Sequence, residues 1–197
     1  MFSTLATMIS NRLCVASAIE EGDRELYIYG FYILISRLFF FLVSVLCGCL
    51  FGVLWESVLF YVMFTLLRSY AGGIHAKTEN MCTILTTLSL LTSICGIKVL
   101  NFVQSEMISL IIAGIGAGCI IAFCPLDTAE KPLESADRNH YRRTSITIVV
   151  TYLALALLMY AMGLKGVLNA VAVSIALESV LMVAGKIMQL RKSIKTH

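Results

Sequence analysis

The chain is 197 residues long, 59% hydrophobic and only 14% charged, with a mean hydropathy of +0.89. Soluble domains average about 25% charged residues, so a chain this apolar lacks the polar groups to cover a water-facing surface and reads as an all-α, polytopic helix bundle in a bilayer. A net charge of +3 gives no footing for nucleic acid, and 7 cysteines, an odd number placed mostly in apolar runs, exclude a secreted disulfide framework.

The length suits one membrane domain over residues 1–197. Residues 1–26 mix polar and apolar types without an apolar core leading to a small-residue cleavage site, so no signal peptide is expected. Phe2, Leu5, Ala6, Ile9, Leu13 and Ala16 recur at helical spacing, which predicts an amphipathic N-terminal helix. Such a helix lies in the membrane interface or packs on the bundle, and the pattern alone leaves both open.

Six spans follow. The apolar stretch from Tyr27 to Leu67 is about twice the ~20 residues that one crossing needs. Dividing it at Cys47–Gly52 gives span one over Tyr27–Leu46 and span two over Leu50–Tyr70, with Trp55 at the outer interface. A polar break runs from Arg68 to Asn80. Span three covers Met81–Leu100 and span four Met107–Phe123. The polar loop Pro125–Thr144 comes next, then span five over Ser145–Met162 and span six over Val167–Lys186, joined by a tight turn at Gly163–Gly166. Ala113, Gly114, Gly116, Ala117 and Gly118 permit close helix approach in span four, within or between chains.

Charge sets the expected orientation. With the N-terminus in the cytoplasm, twelve of the 15 basic residues fall on cytoplasmic segments, and the outer turns hold only Lys98 and Lys165. Both termini and the break at Arg68–Asn80 then face the cytoplasm. Arg37, Glu56 and Glu178 lie within or near spans, where ionisable groups are costly and usually paired. An Arg37–Glu178 pair inside the bundle is one arrangement; a polar substrate path, as in a small transporter, is another.

The break carries the chemistry. Between Arg68 and Cys82 it holds Gly72-Gly73, His75, Lys77, Glu79 and Asn80. A thiolate is a nucleophile and imidazole its usual partner, because a free thiol is only a few per cent ionised at neutral pH. On one straight helix His75 and Cys82 would be separated by about 10.5 Å, so a working pair requires a break between them. Gly72-Gly73 supplies conformational freedom, and Thr78 or Asn80 serves as N-cap of span three, which puts Cys82 in that helix's first turn, where the helix dipole favours a thiolate and free amides can stabilise an oxyanion. Glu79 or Asn80 would orient the imidazole. A bland reading stands beside this one: His75 as an ordinary loop residue and Cys82 as a small buried hydrophobe. No metal-binding or serine-hydrolase signature competes, and no cofactor is implied.

The run Arg68-x-x-Ala-Gly-Gly73-x-His75-Ala-x₅-Cys82 resembles that of the accessory gene regulator B (AgrB) family, and Pro125-x-Asp127-x-x-x-Lys131-Pro132 is similar to that family's second loop motif. The resemblance implies a membrane-embedded cysteine endopeptidase that processes an AgrD-type precursor peptide into a cyclic quorum-sensing signal. It implies His75 and Cys82 as the catalytic pair, Arg68 and Gly73 as supporting motif residues, and a homodimer. Cys124, ahead of Pro125, departs from the pattern. Lys77 and Arg68 are then candidates to hold precursor carboxylates or to anchor the inner face, and Arg138, Arg142 and Arg143 to attract an acidic peptide tail or anionic lipid headgroups.

Overall fold

The computed structural model describes residues 2–16, 19–73, 78–126 and 135–195. Seven α-helices follow one another: α1 (Phe2–Val15), α2 (Arg24–Phe51), α3 (Leu54–Ala71), α4 (Glu79–Val103), α5 (Glu106–Phe123), α6 (Ser135–Ala161) and α7 (Lys165–Lys195), with a short 3₁₀ turn at Glu21–Asp23. Five are long and apolar enough to cross a membrane: α2, α4, α5, α6 and α7. The remaining expected span is α3, whose 18 residues reach about 27 Å. Glu56 in its first turn and Arg68 in its last dilute its apolar run.

The first two spans divide later than the sequence predicts. Cys47 to Phe51 remain helical, and the break is confined to Gly52-Val53. Gly48 reads as a turn residue in sequence, but here it is a contact residue. A Cβ on it would fall on the Ser57 side chain, so its bareness lets α3 close against the end of α2. Ser44 uses that proximity, donating to the Ser57 carbonyl at 3.0 Å.

Two compact units divide the chain, Met1–Val43 and Ser44–His197. In the first, Phe2 of α1 packs its ring against Phe39 of α2 at 5.2 Å, and Arg24 Nε donates to Asn11 Oδ1 at 2.8 Å. The buried stripe of α1 is Phe2, Ala6 and Ser10, while Leu5 and Ile9 of the expected apolar face are exposed.

The second unit is built around α7, which packs against α3, α4, α5 and α6. Gly116 of α5 lets that helix approach the Ile175 backbone of α7, a close approach of the kind small residues permit in membranes. Hydrogen bonds from buried side chains cross between helices: Tyr152 Oη of α6 to the Met63 carbonyl of α3 at 3.0 Å, and Asn169 Nδ2 of α7 to Asn101 Oδ1 of α4 at 2.7 Å. Ser109 of α5 donates to Asn169 Oδ1. At one end of this unit Lys165 pairs with Glu106 at 3.4 Å, and Trp55, 80% exposed, lines a cavity with the Gly163–Gly166 turn. The opposite end carries the motif residues.

Candidate functional site

α3 ends at Ala71, and the two glycines after it turn the chain. Gly72 has φ +85°, and Gly73 has φ +155°. Gly72 forms an isolated parallel β-bridge with Leu126, and the Leu126 N–H donates to the Ala71 carbonyl at 3.0 Å. A Cβ on Gly72 would stand 2.6 Å from the Leu126 carbonyl oxygen, and one on Gly73 would stand 2.7 Å from Arg68 Nη1. Gly72 is thus needed for space as well as for its backbone angles, and Gly73 leaves room for the Arg68 guanidinium. The two sequence motifs meet here: the end of α3 lies against Cys124-Pro125-Leu126, the stretch that follows α5.

Arg68, one turn from the end of α3, holds the inner side of this junction. Its guanidinium carbon lies 5.8 Å from the Phe64 ring centroid, and its Nη1 is 3.8 Å from Glu178 Oε2 of α7. Glu178 is fully buried. Its ion-pair partner among the described residues is therefore Arg68, not Arg37, which the sequence offered as one of two arrangements, and the pair joins α7 to α3. Composition could not reveal this, because only the packing of α3 on α7 brings the two charges together.

Cys82 stands in the first turn of α4. Thr78 is the N-cap: its side chain accepts from the Met81 N–H at 3.4 Å, and its carbonyl accepts from the Cys82 N–H at 3.0 Å. Asn80, the alternative cap, lies inside the helix. Cys82 is half-buried, Glu79 is half-buried and Asn80 is exposed. The amides of Met81 and Cys82 are engaged by the cap, so neither is a ready donor for an oxyanion. His75 and Lys77 lie outside the described residues, as do Asp127 and Lys131 of the second motif.

Beyond the junction is a cavity of about 310 Å³ lined by Cys124, Pro125 and Leu126 together with Arg138 and Arg142 of α6 and Lys186 and Gln189 of α7. Arg138 and Arg142 are four residues apart and so share a helix face. Arg143 does not line the cavity. Lys186 and Gln189 were not singled out in the sequence; their place at i and i+3 near the end of span six was the only available signal. Cys124 is buried in this wall. Burial pushes its thiol above the ordinary 9.0, and the Arg142 charge and a backbone hydrogen bond pull it partly back.

The chain matches the family described as accessory gene regulator B over residues 4–182. It belongs to that family. It is similar to an AgrB-like protein of Clostridium perfringens strain SM101, with 28% identity over 80% of this chain and 77% of the relative. It is also similar to an AgrB-like protein of Halalkalibacterium halodurans, with 26% identity over 83% of this chain and 81% of the relative, and to protein FsrB of Enterococcus faecalis, with 31% identity over 64% of this chain and 52% of the relative. No solved structure matches. Membership of the AgrB family, with five membrane-length helices, makes this a membrane protein of a group involved in processing quorum-sensing peptides of the AgrD type.

Proposed function

We propose that this AgrB-family chain is a cysteine endopeptidase that cleaves an AgrD-like precursor through a Cys82 acyl-enzyme and helps close the cyclic signal. The observation that carries the reading is the location of Cys82 in the first turn of a capped helix, separated by the Gly72-Gly73 turn from the end of α3. α4 starts only at Glu79, behind an extended Thr78, which supports the break between His75 and Cys82 that a working pair requires.

In this reading His75 takes the Cys82 proton, and the thiolate attacks a backbone carbonyl near the precursor's C-terminal tail. The C–N bond breaks, His75 gives the proton to the departing amine, and the acyl group remains on Cys82 as a thioester. A Cys of the precursor then attacks it. The new thioester forms as the Cys82 bond breaks, closing a thiolactone and returning a proton to Cys82; a Ser would close a lactone. Exclusion of water at an apolar site protects the intermediate. Glu79 or Asn80 orients the imidazole, and Arg68 and Gly73 hold the turn.

The cavity of Arg138, Arg142 and Lys186 is the proposed seat for the precursor's carboxylates, with Arg143 and Lys77 adding to the local positive field. The site and both termini face the cytoplasm, as the distribution of basic residues favours, and the chain works as a homodimer by analogy with its family. Co-expression with a precursor bearing an internal Cys and an acidic tail tests the assignment. Cys82→Ala and His75→Ala should each abolish tail release. Release at the wild-type rate in either variant would sink it.

A further inference from the structure

We infer that Glu178 is a positioning residue: its buried carboxylate holds the Arg68 guanidinium against the Gly73 main chain and so fixes the turn from which the His75 segment departs. The inference rests on the peptidase reading proposed above.

An ionisable group at this depth in a bundle is costly and is kept where it is paired or functional. Glu178 is fully buried, and neither of its oxygens has a hydrogen-bond partner among the described residues. Its separation of 3.8 Å from Arg68 Nη1 is longer than a hydrogen bond, so charge rather than a bidentate fork holds the pair. Apolar residues of similar size commonly replace buried ion pairs without loss of stability. Stability therefore gives no reason for a carboxylate here.

Placement gives one. The nitrogen nearest Glu178 is Arg68 Nη1, and the same atom is the nearest neighbour of the Gly73 Cβ position, at 2.7 Å. The Phe64 ring supports the guanidinium. The Arg68 head is thus set between α7 and the Gly73 backbone, while Gly72 on the adjoining residue is fixed by Leu126. The turn is held from both sides, by charge and by a main-chain bridge. A glutamine at 178 would keep the volume and remove the charge that draws the guanidinium toward α7.

The test uses the full-length protein in membranes, with iodoacetamide as the probe and mass spectrometry to resolve alkylation at Cys82 across a pH series. Wild type should label faster at neutral pH than His75→Ala. Glu178→Gln should fall roughly tenfold, to the His75→Ala profile, as a thiol does on losing the partner that keeps it ionised, and Glu178→Asp should recover most of the rate. If wild type and His75→Ala label alike, the peptidase reading fails and takes this inference with it. If wild type outpaces His75→Ala but Glu178→Gln labels like wild type, the peptidase reading stands and the role of Glu178 is overturned. The apolar double variant Arg68→Met/Glu178→Leu separates positioning from folding. It should melt at or above the wild-type temperature in detergent yet label at the slow rate; wild-type melting with fast labelling would overturn the inference.

Discussion

The amide of Leu126 donates to the carbonyl of Ala71 at 3.0 Å, and this bond seats the stretch after α5 on the end of α3. The contact leaves no room for a side chain at the intervening position. Gly72→Ala would drive a Cβ to 2.6 Å from the Leu126 carbonyl oxygen at a positive φ of 85°. Two faults at one residue should cost about 1–3 kcal/mol and abolish tail release. A melting curve in detergent and a cleavage assay check both.

Gly73→Ala should behave differently. Its Cβ meets the end of the Arg68 side chain rather than backbone, and a side chain can move aside. Cleavage should fall by about tenfold or more, as a misplaced catalytic geometry requires, while melting shifts less than in Gly72→Ala. Equal stability losses in the two variants would contradict the placement of Arg68.

If Arg138, Arg142 and Lys186 seat the precursor as proposed, replacing them with glutamine should raise KM for a precursor with an acidic tail and leave kcat little changed. The effect should shrink at high salt and disappear for a precursor whose tail carries Asn and Gln in place of Asp and Glu. An equal effect on both precursors, restored by adding anionic lipid, would assign the cavity to headgroups instead. Arg143→Gln, outside the cavity, should raise KM less than Arg142→Gln.

Cys124 sets a pH signature. Its folded thiol titrates above the ordinary 9.0 because it is buried. As pH rises past 9.0, the unfolded chain ionises before the folded one does. Stability is therefore complete below that value and lost as pH climbs through the raised one. The melting temperature should drop at high pH, and less steeply in Cys124→Ala. Identical slopes for the two proteins would refute the burial effect.

Much of this arrangement was legible in the linear chain. Long apolar runs announced the spans, since a bilayer requires about twenty such residues, and Thr78 marked the start of α4 because a hydroxyl can accept from an orphan amide. The first turn was misplaced for a physical reason: Gly48 signals a turn locally but serves a contact with Ser57 that only the folded α2–α3 pair creates. The apolar spacing of α1 does not tell which of its residues pack inward: Ser10, and not Ile9, shares the buried stripe with Phe2 and Ala6. The partner of Glu178 was invisible, since Arg68 and Glu178 are brought together only by the docking of α3 on α7. Cys82 was placed from the helix pattern, but the engagement of its amide by Thr78 depended on which of two caps the chain used.

The last helix touches all four of its neighbours in the second unit, and it carries Asn169 in its second turn and Glu178 nine residues on, near its middle. A rod shared in this way has a mechanical consequence. A quarter rotation of α7 about its axis would withdraw the carboxylate from Arg68 and, in the same motion, break the amide chain that links it to Asn101 and Ser109. Neither contact can be reset on its own, so the Asn169 cluster and the Arg68 junction are geared together by a single spindle.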